Sequence, residues 1–280
     1  MIPAAFDYEV ATSADHALSL LGSDPDAKLI AGGHSLIPAL KLRVARPSKL
    51  VDIGRLGELA YVRDAGDKLA IGALTRYKAL RDDALLQEHC PIVSTTAGLV
   101  GDPQVRHRGT IGGSLAHGDP ASDLPAVMLA LGAELVIRGG VGERVVPAAQ
   151  FFTGVFQTAI GPGEMLTEIR VPKLTGATGW SYVKLSRRAQ DWATVAVAAL
   201  VHRDNGGLAA ASIALTNMGA TPLRATAVED ALTAGAKPTE AAEHMADETD
   251  PPSDVAASAE FRAHLARVVG KRAIEEALSR

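Results

Sequence analysis

Two short stretches carry the residue types from which an anion site is made: Ala31-Gly32-Gly33-His34-Ser35 and Thr110-Ile111-Gly112-Gly113-Ser114. Paired glycines allow backbone torsions and close approaches that a side chain would block. Successive N–H groups in such a turn can form an anion-binding concavity, and the hydroxyl beside each pair adds a donor. Either stretch alone reads equally well as a tight turn; together they suit a ligand with two phosphates. After the second stretch come Asp119-Pro120 and Asp123. Asp123 could accept hydrogen bonds from a ribose or a ring edge, or simply cap a helix. Neither G-x-G-x-x-G nor G-x-x-x-x-G-K-[ST] occurs, so a Rossmann dehydrogenase and a P-loop NTPase are disfavoured. The residues by themselves lead to a diphosphate-containing cofactor held in another way.

The elements that must position these stretches are legible in outline. Thr12 and Ser13 precede Ala14, Ala17, Leu18 and Leu21 at helical spacing, with Gly22 as the stop. Lys28 to Ala31 reads as a strand running into the first glycine pair, and Leu50 to Ile53 as a second, which together predict a βαβ-like unit. From Gly54 to Pro172 the pattern predicts strands at Leu69 to Ala73, Ala133 to Arg138 and Met165 to Val171, and helices at Tyr77 to Leu86 and around Ile92 to Gly101. This mixture argues for α+β. Beyond Pro172, Ala193 to His202 and Leu208 to Leu215 are apolar segments joined by Arg203-Asp-Asn-Gly-Gly207, a hairpin signal. Helices are predicted at Ala225 to Ala234 and Ala256 to Leu278, and a domain boundary near residue 175.

Composition narrows the class further. The chain has 280 residues, 47% of them hydrophobic, which is ample for compact cores. A net charge of -4 lacks the basic excess of a nucleic-acid binder. The longest nearly apolar run, Trp192 to Val201, is about half of the roughly 20 residues needed to span a bilayer. There is no basic N-terminal segment followed by an apolar one, so no transmembrane segment and a cytoplasmic location are expected. The single cysteine, Cys90, cannot ligate an iron–sulfur cluster, and no metal site is expected on this chain.

The motifs AGGHSLIPALKLR from Ala31, LVDI, and TIGGSLAHGDPASDLPA from Thr110 resemble the FAD-binding medium subunit of the carbon monoxide dehydrogenase and xanthine dehydrogenase family, the molybdenum hydroxylases. RVVPAAQFFTGVFQTAIGPGEMLTEIRVP (Arg144 to Pro172), SYVKLSRRAQDWATV (Ser181 to Val195) and SAEFRAHLARVVGKRAI carry the likeness through nearly the whole chain. The resemblance implies an α+β fold: a two-subdomain FAD-binding domain of the vanillyl-alcohol oxidase / p-cresol methylhydroxylase type over residues 1–175 (about 1–55 and 56–175), then a C-terminal domain, 176–280, with a small antiparallel sheet and helices.

FAD would lie extended between the first two subdomains. By family similarity Leu29, Ile30, Ala31, Gly32, Gly33, His34, Ser35 and Leu36, with Thr110, Ile111, Gly112, Gly113 and Ser114, would wrap the pyrophosphate. Val100 would lie near the adenine or ring region, Asp123 would be a polar anchor and Leu166 a backbone contact. Lys184 would lie near the isoalloxazine, where it could bond flavin oxygens or simply be a solvated strand residue. Trp192 falls where relatives carry an aromatic residue beside the flavin, but a tryptophan starting an apolar strand is as often a core residue.

The implied partners are a large molybdopterin-binding subunit and a small two-iron two-sulfur subunit, assembled as a dimer of heterotrimers. Electrons would pass through FAD to an external acceptor such as a quinone or NAD. The cofactor supplies the redox chemistry, so no catalytic acid or base is expected here. The rival from another class is a free-standing FAD-dependent oxidase or reductase acting directly on a small organic substrate.

Overall fold

The computed structural model describes residues 1–204 and 207–280. Strand β1 (Asp7–Val10) leads to helix α1 (Ala14–Ser23), then β2 (Lys28–Ile30), α2 (Leu36–Lys41) and β3 (Lys49–Asp52). The three strands form a parallel sheet in the order β1-β3-β2, so β2-α2-β3 is the expected βαβ-like unit. Ser13 caps α1 by accepting from the His16 amide at 3.0 Å. Ala14, Ala17 and Leu18 then face a small core with Val51 and Ile53.

The second sheet is built from β4 (Val62–Ala65) and β5 (Lys68–Gly72), followed in the chain by α3 (Tyr77–Asp82), α4 (Ala84–His89), α5 (Pro91–Leu99), α6 (Pro103–Arg108), α7 (Ile111–His117) and α8 (Asp123–Leu131). Next come β6 (Glu134–Gly139), β7 (Gly142–Pro147), α9 (Ala148–Phe151), β8 (Phe152–Gly154), β9 (Gln157–Thr158) and β10 (Met165–Pro172). Five of these strands pair in the order β4-β5-β10-β6-β7, antiparallel throughout, while β8 and β9 form a separate hairpin. The single helix predicted over Tyr77 to Leu86 is two: Asp83, extended at φ −76° and ψ 124°, breaks it and caps α4 through the Leu86 amide.

The third sheet is antiparallel, β11 (Thr178–Leu185), β12 (Val195–Asp204), β13 (Gly207–Thr216) and β14 (Leu223–Arg224), in chain order. Helices α10 (Thr226–Thr233), α11 (Pro238–Ala241) and α12 (Ala259–Ser279) complete the chain. The tip of the predicted β12–β13 hairpin, residues 205 and 206, lies outside the described residues. Every residue from Val195 to Val201 is buried. Ala196, Ala198 and Leu200 face the core that includes α8, whereas Val195, Val197, Ala199 and Val201 face α12. A strand covered on both faces reads as an unbroken apolar run rather than an alternating one, which explains the run seen in the sequence. Among the described residues no helix is long and apolar enough to cross a membrane.

Candidate functional site

The first glycine stretch leaves β2 as a loop. The amides of Gly32, Gly33, His34, Ser35 and Leu36 donate to no protein acceptor among the described residues. Gly33 is left-handed at φ +77° and Ser35 right-handed at φ −96°, an alternation of the kind that lets consecutive N–H groups converge on an anion. Ser35 makes no capping hydrogen bond with its side chain. Leu29, Ile30, Ala31, Gly32, Gly33, Ser35 and Leu36 are half-buried and His34 is exposed, so the loop is reachable while its flanks are held.

The second stretch is built differently. Thr110 is the N-cap of α7 and its Oγ1 accepts from the Gly113 amide at 3.1 Å. The Ile111 amide donates to Thr75 O at 3.0 Å, that of Gly112 to Ala73 O at 2.8 Å and that of Ser114 to Thr110 O at 3.1 Å. Expected as a second open loop, the segment is a helix start whose amides are already committed. Gly112 is glycine for packing: a Cβ there would lie 2.6 Å from the Ala73 carbonyl oxygen. What this stretch can offer a ligand is the exposed surface of Gly113 and the hydroxyl of half-buried Ser114.

The two stretches nevertheless meet. A Cβ on Gly32 would collide with the Arg108 carbonyl, and one on Gly109 would lie 2.5 Å from the Tyr77 ring. The end of α6, immediately before Thr110, is thus pressed against the first loop. At the other end of α6, Arg106 donates to the carbonyls of Val100 and Gly101, both at 3.1 Å. Gly101 is left-handed at φ +53°. Leu166 is buried in β10 opposite Ile137; the next residue, Thr167, accepts from the Ala73 amide at 2.9 Å, which ties this strand to the Gly112 contact.

Asp123, the first residue of α8, and Lys184, on β11, come together across the sequence. Lys184 Nζ lies 2.9 Å from Asp123 Oδ2 and 3.4 Å from Leu99 O, while the Tyr182 hydroxyl donates to Asp123 Oδ1 at 2.7 Å. The Asp123 and Lys184 side chains are only 3% and 7% exposed, which excludes the reading of Lys184 as a solvated strand residue. Burial raises the Asp123 carboxyl above the usual range, against the opposing pull of Lys184 and Tyr182. Tyr182 is held well above the ordinary phenol by burial and by the carboxylate beside it. Tyr77, buried with Ser114 and Asp123 near it, is pushed up to about 12, chiefly by burial.

Trp192 is 54% exposed and precedes β12 rather than joining its core. It lines a cavity of about 750 Å³ with Asp119, Val155, Phe156, Arg187 and Asp191. Phe156, at the β8–β9 tip with φ +55°, packs its ring 4.9 Å from that of His117. Sequence reasoning missed Tyr77, Arg106 and Tyr182. Tyr182 alone carried a signal, since it stands two residues before Lys184 and so shares its face of the strand. Among the described residues no cluster of His, Cys, Asp and Glu could hold a metal ion, and Cys90 is buried with its thiol pushed up to about 12.

Residues 4–174 match the FAD binding domain in molybdopterin dehydrogenase, and residues 180–277 the CO dehydrogenase flavoprotein C-terminal domain. The chain belongs to the FAD-binding medium subunits of the molybdenum hydroxylases. It is 40% identical to the carbon monoxide dehydrogenase medium chain of Hydrogenophaga pseudoflava, covering 100% of this chain and 99% of that one. It is 42% identical to the 6-hydroxypseudooxynicotine dehydrogenase complex subunit alpha of Paenarthrobacter nicotinovorans, covering 100% and 97%. Among solved structures it superposes on carbon monoxide dehydrogenase from Hydrogenophaga pseudoflava with a TM-score of 0.97 at 42% identity, covering 100% and 99%. Quinoline 2-oxidoreductase from Pseudomonas putida 86 gives 0.94 at 33%, with the same coverage.

Proposed function

We propose that this chain binds FAD with its pyrophosphate on the Gly32–Leu36 amides, and passes electrons from the clusters of an iron–sulfur partner to an external acceptor. The observation that carries this reading is the run of five amides with no protein acceptor among the described residues, in a loop pressed against the end of α6 just before α7. An anion placed there is stabilised by aligned donors that need no rearrangement. Leu29 to Ala31 would line the approach, and Thr110 to Ser114 would close the site from the α7 side. Val100, Asp123, Leu166 and Lys184 would bound the remainder, with Trp192 offering an aromatic plane at its outer edge. When bound, the flavin supplies two-electron chemistry to a chain whose own residues bind and orient it.

In this reading the units are 1–175, divided near 55, and 176–280. The partners are a large molybdopterin-binding subunit and a small two-iron two-sulfur subunit, in a dimer of heterotrimers located in the cytoplasm. The external acceptor, a quinone, NAD or another small oxidant, enters by the cavity that Trp192 and Phe156 wall with apolar rings. Acid release and chromatography of the bound cofactor test the reading: FAD is expected, and FMN or a nicotinamide nucleotide overturns it. A second arm mixes the FAD-loaded chain anaerobically with aldehydes, purines or carbon monoxide. The flavin band should stay oxidised until the partner subunits are added; bleaching by a small substrate alone would favour the free-standing oxidase.

A further inference from the structure

The buried cluster of Asp123, Tyr182 and Lys184 has one member to which neither the sequence motifs nor the flavin reading gives a role. Tyr182 and Lys184 leave the same face of β11, the face turned toward α5 and α8. Their partners on β12 are Ala198 and Ala196, small residues that leave the long side chains room to reach across the seam between the C-terminal sheet and the helices. The two oxygens of Asp123 are divided between them: Tyr182 donates to one at 2.7 Å, Lys184 to the other at 2.9 Å. Lys184 Nζ also stands 3.4 Å from the carbonyl of Leu99, the last residue of α5. That is the negative end of a helix dipole, a favourable place for a cation. The adjoining Val100 and Gly101 carbonyls are taken by Arg106.

We propose that Tyr182 is a positioning residue for the flavin site: by occupying one oxygen of Asp123 it confines the Lys184 ammonium to the other, and so holds the charge at the Leu99–Val100 turn. The inference rests on the FAD reading, which places Val100 and Lys184 beside the cofactor. Without the phenol, one buried carboxylate oxygen has no donor, an unfavourable state. The carboxylate then recruits Lys184 to both oxygens and draws the ammonium away from Leu99. A positive charge near a flavin favours its reduced, more electron-rich form, so loosening that charge lowers the reduction potential.

The test uses the full chain loaded with FAD and a dye-equilibrated reductive titration of wild type, Lys184→Gln, Tyr182→Phe and the double variant. Lys184→Gln should lower the two-electron potential by about 30 mV or more, equivalent to about tenfold in the ratio of affinities for oxidised and reduced flavin. Tyr182→Phe should shift it the same way by at least about half as much, and the double variant should fall no further than Lys184→Gln, because the two residues act through one contact. A Tyr182→Phe protein at wild-type potential, or strictly additive shifts, overturns the inference and leaves the FAD reading standing. If Lys184→Gln also leaves the potential unmoved with FAD bound, Lys184 does not face the flavin and the inference falls with that placement. A wild-type chain that takes up no FAD overturns the cofactor reading itself.

Should Tyr182→Phe fail to fold, the wild-type chain with ¹³C-labelled tyrosines gives the answer without a variant. The Tyr182 Cζ resonance should move on FAD addition while that of exposed Tyr8 stays fixed; an unmoved Tyr182 overturns the proposal.

Discussion

Gly32-Gly33 and Gly112-Gly113 look alike in the sequence and do different work. In the first pair the glycines free the backbone: Gly33 is left-handed, and the five amides from Gly32 to Leu36 point to no protein acceptor among the described residues. In the second, every amide from Ile111 to Ser114 is bonded within the protein, and Gly112 is small so that α7 can press on Ala73. The first is an open donor array; the second is the buttress that fixes where the array stands. A glycine-rich motif is thus two separable demands, torsional freedom and close packing, and substitution distinguishes them.

The largest loss of stability is expected at the buttress. Gly112→Val forces a side chain to within 2.6 Å of a backbone oxygen in a fully buried position. Backbone cannot step aside as a flexible side chain can, so a loss of about 3 kcal/mol is expected. Thermal unfolding of the purified apo-chain measures it. A Gly112→Val protein that melts with the wild type would remove the packing half of the comparison.

Gly33→Val comes next. A β-branched residue at φ +77° costs roughly 1–2 kcal/mol of backbone strain, and the nearest atom its Cβ would meet is the flexible end of Ile37, at 2.7 Å, with no backbone among its close neighbours. The chain should fold, but the amides would lose their convergence, and FAD affinity should fall by more than about tenfold, the equivalent of 1.4 kcal/mol. Flavin fluorescence quenching reads the affinity. Wild-type affinity in a folded Gly33→Val protein would contradict the role given to the first loop.

Thr110→Ala should act on the helix and hardly on the ligand. Its Oγ1 caps the Gly113 amide, and removing such a cap costs about 1 kcal/mol. The expected signature is a lowered melting temperature with FAD affinity unchanged within about threefold. A loss of affinity larger than the loss of stability would mean that the Thr110 hydroxyl serves the phosphate directly.

How much of this was legible in advance follows the same division. The βαβ-like start and the long strands were readable because glycine stops, caps and apolar runs are local signals, as at Ser13 and along Val195 to Val201. That Thr110 begins a helix was hidden by Gly112 and Gly113, poor helix residues that tertiary contact with Ala73 overrides. Short edge strands such as β4 and β14 carry too few residues for periodicity. In the candidate site, the glycine stretches announced themselves, but the meeting of Asp123 with Lys184 and Tyr182 depends on α8 packing against β12 and β13 while α5 packs against β11. No spacing within 60 residues of sequence encodes that contact. Arg106 was invisible for a similar reason, its partners being main-chain carbonyls that have no letter in the sequence.

The smallest effect on the fold is expected at Ser35, and it tests the open array most narrowly. Ser35 precedes α2 where a capping residue would stand, yet its side chain makes no capping hydrogen bond and its φ and ψ are already right-handed. A serine there has no structural employment that alanine would fail to supply, so Ser35→Ala should leave the melting temperature nearly unchanged, within about 0.5 kcal/mol. If the loop receives a pyrophosphate, the hydroxyl donates to a charged oxygen, an interaction worth roughly 1.5–3 kcal/mol. FAD affinity should then fall by about tenfold or more with the fold intact. Inorganic pyrophosphate, added during reconstitution, should slow FAD uptake by the wild-type chain and do so less for Ser35→Ala. An unchanged affinity together with undiminished competition would leave the backbone amides as the anion's donors and strike the hydroxyl from the site; the absence of any competition in the wild type would move the anion elsewhere.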